Sequence, residues 1–197
     1  MKWSVAMIQT DPVSATANPG SVTERVLTDT VWNMGVLDLL TGVYHQRYLE
    51  EALPVAIHEC RQRGQKLSIL YVDIDRFEAI NDRCGRLVGD LVLQHVAQTL
   101  KRRARLPESW VSREEADAFV ICLPGITANV ARRCANNLRV AIMSERLQLE
   151  SGEISLTCSF GVQTMEETNT TLTADALLRE AKGKAALAKQ AGGNGVV

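Results

Sequence analysis

The run Leu67-Ser68-Ile69-Leu70-Tyr71-Val72-Asp73 constrains this chain more than any other, because a short, apolar, partly β-branched segment ending on an acid reads as a buried strand. Such a strand needs sheet partners and covering helices, and the flanking sequence offers both. Upstream, Leu49, Leu53, Ala56, Ile57 and Cys60 recur at helical spacing, and Arg61-Gln62-Arg63-Gly64 ends that helix with basic residues and a glycine. Downstream, a long helix is expected from about Asp90, with Val92, Leu93, Val96, Ala97 and Leu100 inward and Lys101, Arg102, Arg103 and Arg105 at its end. Cations complementing a helix C-terminus explain that basic end better than a bound anion does.

Strands near residues 110–113 and 119–123 flank Glu114-Glu115-Ala116-Asp117-Ala118, which predicts a hairpin with an acidic tip. Gly125-Ile126-Thr127 leads into a helix carrying Val130, Ala131, Cys134, Leu138, Ala141 and Ile142. Residues 154–162 alternate as one strand buried mainly on one face, and a last helix over 173–190 turns Leu177, Leu178, Ala181, Ala185 and Ala188 inward. The order α-β-α-β-β-α-β-α implies an α+β fold, a mixed sheet with helices packed on it.

Residues 1–20 read as a flexible N-terminal segment, rich in Pro, Ser, Thr, Ala and Asn over 11–20. Ser21 and Glu24 then form a capping-box pattern ahead of Val26, Leu27, Val31 and Met34, which predicts an amphipathic lead-in helix over 21–36 stopping at Gly35. Its apolar face must be buried on its own domain or on a second copy. The remaining residues, 37–197, make one domain.

With 22 basic against 23 acidic residues, the 197-residue chain lacks the positive excess that binding to nucleic acid or an anionic membrane requires. Its opening residues are too short for a signal-peptide core or a membrane span, so a cytoplasmic protein is expected. Cys60, Cys84, Cys122, Cys134 and Cys158 form an odd set without a Cys-x-x-Cys pair, which fits neither a disulfide framework nor a zinc site. All but Cys84 sit among apolar neighbours and read as small buried hydrophobes.

Asp73 and Asp75 at the strand end and Asp117 at the hairpin tip are the chemically suggestive acids. Carboxylates from adjacent strand ends can hold Mg²⁺, which orients and neutralises nucleotide phosphates. Their surroundings are more specific. Asp38-Leu39-Leu40-Thr41-Gly42-Val43-Tyr44-His45-Gln46-Arg47 resembles the Asp-x-Leu-Thr-Gly-Leu-x-Asn-Arg-Arg opening of the GGDEF domain, the catalytic domain of diguanylate cyclases. Asp73-Ile74-Asp75-Arg76-Phe77-Glu78-Ala79-Ile80-Asn81-Asp82 resembles that family's Asp-x-Asp-x-Phe-Lys-x-x-Asn-Asp, and Gly85-Arg86-Leu87-Val88-Gly89-Asp90 its Gly-His-x-x-Gly-Asp. Ser159-Phe160-Gly161 and Ala188-Lys189-Gln190-Ala191-Gly192-Gly193-Asn194 are similar to its Ser-x-Gly and Ala-Lys-x-x-Gly-Arg-Asn segments, in order and spacing.

The resemblance spans residues 37–197 and implies a nucleotidyl cyclase-like fold with a mainly antiparallel central sheet flanked by helices. It also implies a reaction in which two facing domains, each holding GTP and Mg²⁺, join their nucleotides into cyclic di-GMP. Carried over by position, Asp73 and the Ile74 carbonyl are metal ligands, and Asp117 ligates metal or assists deprotonation as the catalytic acid of the signature. Asn81 and Asp90 hydrogen-bond guanine, Phe77 lines the phosphate loop, and Lys189 reaches the phosphates. Asp90 could equally cap the helix it starts.

The signature Arg-Tyr-Gly-Gly-Asp-Glu-Phe stands here as Arg113-Glu114-Glu115-Ala116-Asp117-Ala118-Phe119. Glu115 adds bulk and charge where glycine lets backbone approach the nucleotide. Ala118 removes a carboxylate, Glu78 replaces a phosphate-binding lysine, and Gly193 an arginine. Loss of one well-placed electrostatic group commonly costs roughly 10²- to 10³-fold in rate. A degenerate, inactive regulatory domain in cyclic di-GMP signalling is therefore expected, with residual GTP binding, Mg²⁺ weakly held or absent, and a homodimer or protein partner. The alternatives are an active diguanylate cyclase and a nucleotide-independent interaction module. The inhibitory Arg-x-x-Asp of the family falls by spacing on Leu106 and Ser109, so feedback binding of cyclic di-GMP is not expected there.

Overall fold

The computed structural model of the protein describes residues 35–150, 152–166 and 171–197. Its elements are α1 (Gln46–Gln62), β1 (Leu67–Ile74), α2 (Phe77–Cys84), α3 (Arg86–Arg103), β2 (Trp110–Arg113), β3 (Ala118–Pro124), α4 (Ala128–Ser144), β4 (Leu147–Leu149), β5 (Gly152–Ile154), β6 (Cys158–Met165) and α5 (Ala174–Gln190). The main sheet has the order β2-β3-β1-β6, with antiparallel pairing throughout. Parallel bridges from Tyr44 to Ser112 and from Phe160 to Val196 add a contact at either side of it, so the sheet is mixed, as expected for this α+β fold.

β1 is the middle of the molecule because both its faces are apolar. Leu70, Val72 and Ile74 enter one core with Val92, Val96 and Leu100 of α3 and Ala135, Leu138 and Ile142 of α4. Leu67, Ile69 and Tyr71 enter the other with Leu49, Leu53 and Ile57 of α1 and Leu177, Ala181 and Ala185 of α5. Each large side chain removed from water this way contributes about 1.5–3 kcal/mol before entropy is counted. Within the strand only Asp73 is not fully buried.

Gly161 sets how closely α5 approaches the sheet. A Cβ there would lie 1.9 Å from the Ala181 carbonyl oxygen and 2.5 Å from the Ala185 nitrogen, so only glycine lets the helix rest on β6.

Several sequence expectations are corrected. The long helix starts at Arg86, with Gly85 as its cap; Asp90 is an exposed residue inside the helix and does not cap it. Residues 154–162 are not one strand: β5 ends at Ile154 and β6 begins at Cys158. The helix α2 and the small β4-β5 sheet have no counterpart in the sequence reading. Gly35 does not stop a helix, since Gly35 and Val36 are both helical; the rest of the lead-in helix expected over 21–36, and the flexible segment before it, lie outside the described residues. Cys60, Cys122 and Cys158 are buried, whereas Cys134 is partly exposed. The basic end of α3 is engaged within the fold: Arg102 and Arg103 (2.7 Å) pair with Glu145 at the end of α4, and Lys101 donates to the Gly42 carbonyl (3.0 Å).

Candidate functional site

β1 and the β2-β3 hairpin deliver the acids to one end of the sheet. In the register Asp73 stands opposite Ala118, and the Ile74 amide donates to the Asp117 carbonyl (3.3 Å), so the two acid-bearing segments meet there. Asp73 shares its face of β1 with Tyr71, the side covered by α5. Its carboxylate pairs with the Lys189 ammonium of that helix. That contact is made to the buried Oδ1. Burial raises the pKa of Asp73, Lys189 opposes that, and the charges of Asp117 and Asp75 add to the rise. Another cation would be favoured beside such a carboxylate.

The second acid of the Asp-Ile-Asp run has a different task. Asp75 accepts hydrogen bonds from the hydroxyls of Thr157 and Ser159 (both 2.7 Å) and from the Asn194 amide (2.7 Å). It knots the end of β1, the start of β6 and the turn after α5 together, with Gly193 beside it. Sequence reading missed this role, although the resemblance had marked Ser159 and Asn194 as motif members.

Across the sheet end, on the side of α2 and α3, lie the other nucleotide residues. The chain leaves β1 through Arg76 at φ 57°, then runs into α2 with Phe77 half-buried against the core and Glu78 exposed in the first turn. Asn81 packs on Gly89 of α3: a Cβ at Gly89 would stand 1.9 Å from Asn81 Oδ1 and 3.4 Å from the Phe77 ring. Asn81 Oδ1 is buried and has no hydrogen-bond partner among the described residues. A buried acceptor left open is costly unless something donates to it. Asp90 follows on the same helix, exposed. Asp73, Asp117 and Lys189 thus gather on one side of the strand ends, and Phe77, Asn81 and Asp90 on the other.

The altered hairpin is tied down at several points. Arg113 donates to the Asp38 carboxylate (3.2 Å) and to the Ala116 carbonyl (2.6 Å). Asp38 also accepts from the Thr41 amide (2.9 Å) and hydroxyl (2.6 Å). Burial would raise its pKa, but these Thr41 bonds and Arg113 together hold it below the usual carboxylate range. Glu114 accepts from the Tyr71 hydroxyl (2.7 Å), and Glu115 pairs with Lys182 of α5. Ala118 is buried, so its position offers no group to a ligand. Before the hairpin, an open cleft of about 470 Å³ is lined by Tyr44, Lys101, Arg105, Leu106, Ser109 and Trp110. Ser109 Oγ closes its own loop there, 2.7 Å from the Ala104 carbonyl oxygen and 2.6 Å from that of Leu106.

No group of three or more His, Cys, Asp or Glu side chains comes together as a metal cluster among the described residues. Two carboxylates, Asp73 and Asp117, and the Ile74 carbonyl nevertheless suit Mg²⁺, which takes one or two protein carboxylates together with substrate phosphates. No helix among the described residues is long and apolar enough to cross a membrane.

Comparison with known proteins gives concordant results. The family model described as "Diguanylate cyclase, GGDEF domain" matches residues 36–195. The diguanylate cyclase DgcP of Pseudomonas aeruginosa is 33% identical over 129 residues, covering 66% of this chain but 19% of that protein, so the chain spans about a fifth of its length. The coiled coil and GGDEF domain of DgcB from Caulobacter crescentus, solved in complex with c-di-GMP, has the same fold at a TM-score of 0.81 and 24% identity, covering 89% of this chain and 91% of that one. The diguanylate cyclase SiaD of Pseudomonas aeruginosa, solved with its activator SiaC, gives 0.80 at 23%, covering 89% of this chain and 66% of that one.

Proposed function

The chain belongs to the GGDEF domain family, and from that premise we propose that it is a regulatory domain of cyclic di-GMP signalling that binds GTP without efficiently cyclising it. The observation that carries the reading is the pairing of Asp73 with a buried Ala118, which leaves the acid end of the sheet one carboxylate short of the family signature. Mg²⁺, when bound with a nucleotide, would neutralise phosphate charge. Asp73, Asp117 and the Ile74 carbonyl would hold it, recruited with the nucleotide and not ahead of it.

Each remaining residue has a definable part. Asn81, its buried Oδ1 unpaired, would turn its amide to the amino edge of guanine, and Gly89 keeps room for it. Asp90 would accept a second hydrogen bond from the base. Phe77 would hold the turn over the phosphates, and Lys189 would exchange Asp73 for a phosphate oxygen. Glu78 and Gly193 supply no cation, so phosphate binding rests on fewer charges than in the family pattern.

A second reading, an active diguanylate cyclase, is favoured by the convergence of Asp73, Asp117 and Lys189 at one sheet end. Incubation of the full chain with GTP and Mg²⁺, followed by nucleotide analysis and a parallel calorimetric titration, separates the two. Saturable GTP binding without cyclic di-GMP is the expected result, and product formation in proportion to enzyme would establish the cyclase. Neither binding nor product would leave an interaction module that needs no nucleotide.

A further inference from the structure

Lys182 and Lys189 lie seven residues apart on α5, two helical turns, and both turn toward the acid end of the sheet. Lys189 meets Asp73, and Lys182 meets Glu115 at the hairpin tip. Lys182 also stands over the Tyr71 ring, 5.7 Å from its centroid, while the Tyr71 hydroxyl donates to Glu114. Partial burial disfavours the Lys182 charge, but Glu115, Glu114 and Asp73 outweigh that and hold it firmly protonated. Lys182 therefore feels the metal-side acid as well as the hairpin.

We infer that Lys182 is an anion-binding residue of this site and that Glu115 occupies it as a built-in competitor for phosphate. The inference rests on the nucleotide reading proposed above. Where the family pattern has cations at 78 and 193, this chain has none; the cations of α5 that face the acids are each already taken by a carboxylate of the same chain. An arriving phosphate must displace one of these carboxylates. Displacing Glu115 is the easier exchange, because that ion pair is about half exposed, with 46% of the Lys182 side chain and 53% of the Glu115 side chain accessible. Exposed pairs are weak and readily screened. Glu115 thus serves as more than an obstruction at a former glycine: its charge keeps an otherwise available ammonium satisfied.

The test is calorimetric titration of magnesium GTP, and separately of inorganic triphosphate, into the full chain and into Glu115→Gln, Lys182→Gln and the double variant. Thermal melting checks that all four proteins are folded. Glu115→Gln should bind both ligands about threefold to fivefold tighter, the range an exposed ion pair can supply. Lys182→Gln should bind them more weakly, and Glu115→Gln should add nothing on the Lys182→Gln background. A gain that persists without Lys182 would overturn the inference, since it would reflect net charge alone. Equal GTP affinity in all four would overturn it while leaving the nucleotide reading standing. Absence of GTP binding in every protein would remove both.

Discussion

Asp73 of β1 and Ala118 of β3 are direct cross-strand neighbours, with their side chains on the same face of the sheet. Residues so paired have Cβ atoms about 4.5–5.5 Å apart. An acid at 118 would be a buried carboxylate beside another whose pKa burial already raises. Ala118→Glu should therefore destabilise the metal-free protein by about 2–4 kcal/mol. Magnesium GTP should restore much of that loss. Thermal unfolding with and without the nucleotide and metal measures both effects, and an unchanged melting temperature would show that position 118 is not in the acid cluster.

Restoring the signature more fully acts on the nucleotide directly. Glu115→Gly, Ala116→Gly, Ala118→Glu and Glu78→Lys together remove one charge conflict and replace one cation, and charged hydrogen bonds contribute about 1.5–3 kcal/mol each. GTP affinity should rise about tenfold or more, read by calorimetry. Unchanged affinity would mean that the positions have been matched to the wrong roles.

On the other side of the strand ends, Gly89→Ala puts a methyl group into the space held by the Asn81 amide. Overpacking of this kind costs about 1–3 kcal/mol. Asn81 must move, so GTP binding should fall more than the loss in melting temperature accounts for. Competition between GTP and ATP would show the preference for guanine shrinking; a preference that survives would place guanine recognition elsewhere.

Acid stability should depend on Glu145. Burial disfavours its charge, but Arg103, Thr99 and Arg102 together outweigh that and hold its pKa down to about 2. Because the folded value lies below the unfolded one, the contribution is complete above pH of about 4.5 and disappears as pH falls toward about 2. Denaturant melts across that window should show Glu145→Gln less stable than the parent at neutral pH and nearly equal to it at the acid end.

Elements whose apolar residues repeat strongly were legible from sequence. β1, the hairpin, α1, α4 and α5 stand where periodicity put them, because each buries a dense row of side chains in one of the two cores. α2 was missed because, over eight residues, its only fully buried side chain is Ile80. The start of α3 was misplaced because Gly85 caps it without a side-chain hydrogen bond, leaving Asp90 as the nearest conventional signal. Of the site, Asp73, Asp117 and Lys189 were legible through the motif resemblance, and the structure brings them to one end of the sheet. The partners of Asp75 and the Lys182–Glu115 pair were not, since they join residues separated by 67 to 119 positions, and no local pattern encodes such pairings.

The bridges at either side of the main sheet bear on how this domain can meet another. Tyr44 exchanges backbone hydrogen bonds with Val111 and Arg113 along β2, and residues Gly195 and Val197 do the same along β6. Bare outer strands invite other chains to add on and aggregate, and these short tethers occupy the donors and acceptors that such addition would use. Self-association by extending the main sheet is disfavoured on both of its flanks, which favours side-chain surfaces for a meeting at that sheet.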